Sequence, residues 1–268
     1  MTTGEFHKMH GLGNDFVIID TRARVMEMSP ERARQIADRK TGIGCDQLIL
    51  LLPSTVADLA MRIFNPDGSE VEACGNASRC VVALLDKDLE IETKGGVISG
   101  RLAGNDVSID MGEPKFGWQN IPLAFAMDSD SMPVGWEDLD SPMAVNIGNP
   151  HAVFFLADAE AVDLPRLGPI IENDPVFPER VNVNVASISA NEIHLRVWER
   201  GAGITGACGT GACATAVAAI RQGKVQSPVT VHQSGGALQI VWTPGQPVTM
   251  TGSATHVFTG QADWNLFG

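Results

Sequence analysis

Short, mostly apolar runs recur along this chain, separated by turns rich in glycine, asparagine and proline. The spacing predicts a strand, a turn at Gly11-Leu12-Gly13-Asn14-Asp15 and a second strand, all within 5–20. Ser29-Pro30-Glu31 opens a helix through about Arg39: serine caps, proline suits the first turn and glutamate complements the dipole. Strands follow at 48–52 and 60–64, the second stopped by Asn65-Pro66-Asp67-Gly68. From Ala77 to Leu85 the chain lacks Gly and Pro and is apolar on most faces, which predicts a buried helix. Short strands are then expected at 89–93, 97–102 and 106–111. Residues 112–142 show no clear period and read as a crossover between domains. Beyond it come strands at 152–156 and 192–198 and a small-residue helix at 212–220. Strands at 228–232, 236–242 and 247–251 close the series. The tail from about 253 is expected to cross back to the first domain.

The second half replays the first. Ala73-Cys74-Gly75-Asn76-Ala77 returns as Ala207-Cys208-Gly209-Thr210-Gly211, displaced by half of the 268-residue chain. Arg62-Ile63-Phe64 lies over Arg196-Val197-Trp198, Gly13-Asn14 over Gly148-Asn149, and Gly95-Gly96 over Gly235-Gly236. Matches in chain order with a slowly drifting offset indicate an internal duplication. The expected fold is α+β: two pseudo-symmetric domains, each a bent, mostly antiparallel sheet wrapped around a central helix. The domains are placed at 1–115 plus 254–268, carrying Cys74, and at 116–253, carrying Cys208.

Composition narrows the function classes. A net charge of −13 and a pI of about 4.8 argue against nucleic acid or an anionic membrane as the main partner. No apolar run reaches signal-peptide length near the start or spanning length elsewhere, so the chain reads as cytoplasmic. Five cysteines, an odd number, fit a reducing compartment. With no tyrosine, no phenol can serve as a catalytic acid.

The repeated cysteines carry the chemistry. Each precedes a predicted helix, where free N–H groups and the positive dipole end are expected to lower a thiol pKa and to hold a carboxylate. The glycine that follows each leaves the backbone open to a ligand. Two such sites facing each other would put a thiol on each face of a planar carbanion, the arrangement that inverts a carbon centre. Competing readings are a four-thiolate zinc site and a redox dithiol. Cys74/Cys80 and Cys208/Cys213 are too widely spaced on a helix for the first, and no Cys-x-x-Cys exists for the second. No metal is therefore expected, and Cys45, Cys80 and Cys213 read as core.

These segments resemble the diaminopimelate epimerase family of pyridoxal-phosphate-independent epimerases. The resemblance runs through Met9–Phe16, Gly44-Cys45-Asp46-Gln47, Phe64–Glu70 and Ala73–Asn76, then Gly148-Asn149-Pro150-His151, Pro178–Asn182, Glu199–Gly203 and Ala207–Gly211. Departures from the family pattern are Ala77 after Cys-Gly-Asn, Ile204 where an acidic residue is usual, and a short connection at 86–88. The resemblance implies Cys74 and Cys208 as the acid–base pair, working without a cofactor on diaminopimelate. It implies that the backbone at Gly75-Asn76 and Gly209-Thr210 holds the reacting carboxylate and that Glu199 orients the amino group. Asn65, Asn149, Asn182 and Arg200 would read the distal amino-acid head, with Asn14 and Gln47 lining the site. His151 is either a base that tunes a thiol or a satisfied buried histidine. A homodimer is the assembly to test for. The alternatives kept are a proline or hydroxyproline racemase of the same fold and a non-catalytic amino-acid-binding protein.

Overall fold

The computed structural model describes residues 3–24, 26–72 and 74–268, so Ala73, the first residue of the repeated motif, lies outside the described residues. The chain divides into two compact units, Met1–Ile109 with Thr251–Gly268 and Asp110–Met250. In the first unit the strands Thr3–Gly11 and Asn14–Asp20 form the expected hairpin. Helix α1 (Pro30–Ala37) starts as anticipated, with the Ser29 side chain accepting from the Arg32 N–H at 3.1 Å. It ends two residues earlier than predicted. The Asp38 side chain accepts the N–H groups of Lys40 and Thr41 and turns the chain out of the helix. Helix α1 connects Asn14–Asp20 to the parallel strand Gln47–Leu52, which pairs antiparallel with Leu59–Phe64. Helix α2 (Gly75–Leu85) links that strand to Leu89–Thr93, again in parallel. It begins two residues before the predicted start, which makes Cys74 its N-cap. The strands Gly96–Ala103 and Asp106–Asp110 continue the sheet antiparallel. The tail does return: Thr255–Asp263 pairs antiparallel along Thr3–His10.

The second unit repeats this order. The strand Pro150–Leu156 is followed by helix α3 (Leu164–Glu172) and the parallel strand Asn182–Ser189, which pairs antiparallel with Glu192–Glu199. Helix α4 (Gly209–Arg221) then leads to the parallel strand Val229–Gln233 and its hairpin partner Gly236–Val241. Nearly every position of α4 is buried, and its alanines and glycines allow the sheet to close around it. The 112–142 stretch is not a bare crossover: Ile121, Leu123, Met132 and Leu139 pack into the second unit's core beside Phe154, Leu164 and Val183. Cys45, Cys80 and Cys213 are buried as core residues, and burial pushes the Cys45 and Cys80 thiols up to about 12. Among the described residues no helix is long and apolar enough to cross a membrane.

Candidate active site

Each unit places its repeated cysteine at the N-cap of its central helix, with extended backbone (φ −149° at Cys74, φ −120° at Cys208). The two surroundings differ.

Around Cys208 the strand Glu192–Glu199 ends at a carboxylate. The Cys208 thiol donates to Glu199 Oε2 at 3.0 Å, while the Thr205 hydroxyl donates to Glu199 Oε1. The Gly211 N–H points at Cys208 Sγ from 3.4 Å, and the Thr210 hydroxyl lies 3.5 Å away. A Cβ on Gly211 would stand 3.0 Å from Val197 Cγ2 and 3.2 Å from Cys208 Sγ, so a larger residue there would crowd this thiol. A helix start by itself lowers a thiol pKa; in the folded chain the sign is reversed. Cys208 is 3% exposed, and burial, then the Glu199 charge, push its thiol well above the usual range. The bonds from Thr210 and Gly211 act in the opposite direction without overcoming them. Cys208 therefore rests as a protonated acid beside a carboxylate.

The Cys208 peptide is held by a residue that sequence reasoning passed over: its N–H donates to Gln233 Oε1 at 2.7 Å. Thr205 was missed as well. Neither carries a motif, and each reaches Glu199 or Cys208 only because a hairpin or a turn folds it back.

His151 starts a parallel ladder in register with Asn182, which brings it to Asn184 two residues on, on the same face of the strand. Asn184 Nδ2 donates to the Gly211 carbonyl (3.0 Å) and to Thr215 Oγ1 (2.9 Å), so Asn184 Oδ1 is left as an acceptor for His151 Nδ1–H at 3.2 Å. The other ring nitrogen is 2.9 Å from Asn149 Oδ1. His151 is fully buried, and desolvation lowers its pKa to about 4, so the ring is neutral. A neutral ring protonated at Nδ1 can only accept at Nε2, so Asn149 must present its NH2 there, with its amide turned over. Both ring nitrogens are thus engaged by amides. Asn184 was missed, although the Asn182-Val183-Asn184 alternation on a strand could have signalled it.

This histidine has a consequence for stability. The unfolded ring binds a proton near pH 6.5 and the folded one only near pH 4, so the unfolded state carries more protons between these values. Stability should hold above pH 6.5 and fall as the pH drops towards 4, by up to about 3 kcal/mol. Urea denaturation at pH 7 and pH 4.5 measures it, and His151→Gln should flatten the slope.

Asn182 is 2% exposed. It donates to the Pro150 carbonyl (2.8 Å) and accepts the Arg200 backbone N–H (2.9 Å), so it braces the segment that carries Arg200. One lone pair and one N–H remain on its amide for a ligand. The Arg200 guanidinium donates to the Glu179 carbonyl at 2.9 Å and has no carboxylate partner among the described residues. Glu172, from α3, accepts the Gly201 N–H (2.8 Å) and the Trp198 indole N–H (2.7 Å) and so pins the turn after Arg200.

Around Cys74 the groups are amides. Asn14 Oδ1 accepts from Asn76 Nδ2 at 3.3 Å and lies 4.0 Å from Cys74 Sγ. Gln47 Nε2 donates to Asn65 Oδ1 (3.1 Å), and Asn65 Nδ2 donates to Ser69 Oγ (3.1 Å). Gln47 Oε1 and Asn76 Oδ1 are buried without a hydrogen-bond partner, a costly state for an amide oxygen. The turn after Asn65 needs Gly68, whose φ is +81° and where a Cβ would meet the Pro30 carbonyl at 2.3 Å.

Comparison with known proteins places the chain in a family. The diaminopimelate epimerase family model matches residues 6–117 and 143–257. The diaminopimelate epimerase of Rhizorhabdus wittichii is 64% identical over 98% of this chain and 97% of its own. That of Zymomonas mobilis is 51% identical over 99% of each. Among solved structures, a phenazine biosynthesis protein of the PhzF family from Bacillus anthracis matches with a TM-score of 0.69 at 18% identity, covering 98% of this chain and 99% of that one. A hydroxyproline epimerase from Agrobacterium vitis, with trans-4-hydroxy-L-proline bound, matches with a TM-score of 0.65 at 16% identity over 97% and 92%. Those two likenesses concern the fold alone. With a family model covering most of its length and relatives this similar from end to end, the chain belongs to the diaminopimelate epimerase family.

Proposed function

We propose that this chain interconverts LL- and meso-diaminopimelate by proton transfer between two thiols, Cys74 and Cys208, without a cofactor. The observation that carries the reading is the recurrence of one device: a cysteine capping the central helix of each unit, at the same place in the same strand order. In this mechanism one cysteine, as thiolate, takes the α-proton, and the other thiol delivers a proton to the opposite face of the carbanion. The first cysteine ends protonated and the second ionised, and exchange with water resets both. Cys208, whose proton rests against Glu199, is the acid at rest. When it loses that proton, the Gly211 N–H, the Thr210 hydroxyl and the start of α4 carry the negative sulfur.

The N–H groups at Gly75-Asn76 and Gly209-Thr210 hold the carboxylate of the reacting carbon, since a helix start leaves such donors without partners in the helix. Glu199 pairs with the ammonium there. Arg200, with Asn65, Asn149 and Asn182, reads the distal carboxylate and ammonium; His151 and Asn184 set the direction in which the Asn149 amide points. Asn14 and Gln47 line the Cys74 side.

Incubation of the enzyme with LL-diaminopimelate in D2O tests the reading. The meso product should carry solvent deuterium at the inverted carbon, and L-proline should be left unreacted. Inverted product that keeps its original hydrogen throughout would overturn the two-thiol scheme, and turnover of proline but not of diaminopimelate would overturn the substrate.

Arg200→Lys keeps the charge and loses the planar fork that grips a carboxylate. A loss of about 2 kcal/mol in transition-state binding, roughly thirtyfold in kcat/KM, is expected on diaminopimelate. Steady-state kinetics equal to those of the parent enzyme would remove Arg200 from the binding site.

A further inference from the structure

The amide of Asn14 can face Cys74 with either its oxygen or its NH2, and something must choose. Asn14 Oδ1 lies 4.0 Å from Cys74 Sγ and accepts from Asn76 Nδ2 at 3.3 Å. Asn76 cannot make the choice. It is itself an amide, and its own Oδ1 is buried without a partner, so Asn14 and Asn76 could turn over together and keep a hydrogen bond between them. The other side of Asn14 meets a group of fixed sign: Nδ2 donates to Asp46 Oδ2 at 3.2 Å, and a carboxylate only accepts.

Asp46 is well held for this task. Its Oδ2 also accepts the Asp15 N–H at 3.0 Å, and its Oδ1 pairs with Arg39 Nη2 at 2.7 Å. Its own backbone N–H donates to the Asp15 side chain at 3.2 Å and to the Asp15 carbonyl at 3.0 Å. Asp15 in turn is gripped by Lys8 and Arg39. Burial disfavours its charge, but the bonds from Arg39, Lys8 and Asp46 outweigh it and hold the carboxyl at about 2. The Asp46 and Arg39 side chains are 45% and 57% exposed, so this ion pair adds little stability. Its value lies in geometry.

We propose that Asp46 is a positioning residue of the reaction: by accepting the Asn14 NH2 it locks that amide so that its oxygen faces the Cys74 thiol. An oxygen there stabilises the S–H form, whereas an NH2 would stabilise the thiolate, so Asp46 governs how readily Cys74 gives up and regains its proton. The inference rests on Cys74 being one of the two acid–base thiols.

Asp46→Asn is the direct test, because asparagine has the same shape but can donate or accept and so no longer chooses. The expected result is a fall in kcat of about tenfold or more, with KM for diaminopimelate within about threefold of the parent. The melting temperature should stay within about 3 °C. The double variant Asp46→Asn/Asn14→Ala should be no slower than Asn14→Ala alone, since Asp46 acts only through Asn14. Parent-like kcat in Asp46→Asn would overturn the proposal. So would a double variant whose loss is the product of the two single losses. A melting temperature lowered by more than about 10 °C would make Asp46 a scaffold residue and also overturn it. Cys74→Ala, run alongside, separates the two claims: an active Cys74→Ala enzyme would refute the two-thiol reading itself, whereas an inactive one leaves the Asp46 result to stand or fall by itself.

Discussion

Replacing Cys74 or Cys208 by alanine is expected to lower kcat roughly ten-thousandfold in both directions while leaving diaminopimelate binding measurable. A positioned acid or base contributes up to about 10⁴-fold. A carbon acid this weak has no second route when no electron sink assists it, so loss of either thiol should cost that full amount. Folding should survive at position 208, where the thiol's contribution to the helix start is one weak bond, from the Gly211 N–H at 3.4 Å. Loss of such a cap costs about 1 kcal/mol. Titration calorimetry and chiral product analysis on the same preparations separate binding from turnover. A variant of either position that keeps more than about one per cent of the parent rate would end the two-thiol assignment.

The next largest effect is expected at Glu199. Glutamine fills the same space and can take the Cys208 S–H on its carbonyl oxygen, with its NH2 turned to the Thr205 hydroxyl. What disappears is the charge. That charge is the largest influence after burial among those that push the Cys208 thiol up, so Glu199→Gln should bring the thiol down. It should also leave the substrate ammonium at the inverting carbon without its counter-ion. A loss of about 10²- to 10³-fold in kcat/KM, on the order of 3–4 kcal/mol, is expected. Cys208 serves as acid only while protonated, and in the variant it loses its proton at lower pH. The alkaline limb of kcat should therefore move towards neutrality in the direction that uses Cys208 as the acid. A pH profile whose limb stays in place would disconnect Glu199 from this thiol.

How far the site could be read from the residues depended on whether the relevant partners were local. The duplication was legible because it is a statement about sequence, and the N-cap cysteines were legible because a cap is set by its neighbours in the chain. Ser29-Pro30-Glu31 announced α1 for the same reason. Its end was less plain, since Asp38 competes for Lys40 and Thr41 and stops the helix short of Arg39. Helix α3 was not legible. Gly168 and Pro169 interrupt its period, and the glycine is there because a Cβ would meet the Trp198 ring at 2.5 Å. The matching place of α1 in the first half was the one available sign that a helix belonged there.

The sequence by itself determined that the chain is duplicated and that each half carries a cysteine at the start of its central helix, because repeats and caps depend on residues near one another in the chain. Only the tertiary structure decided the chemical state of those groups. The helix start alone would lower the Cys208 thiol, but burial and the Glu199 carboxylate at 3.0 Å raise it, and both come from chain that folds back. Asn184 and Asn149 meet the two ring nitrogens of His151, and only the fold brings Asn184 there. The grips of Gln233 on the Cys208 peptide, of Glu172 on Gly201 and of Asp46 on Asn14 belong to the same class. Electrostatic and hydrogen-bond effects reach across space over a few ångströms, and the pairs that decide protonation here, apart from His151 and Asn149, are not neighbours in sequence.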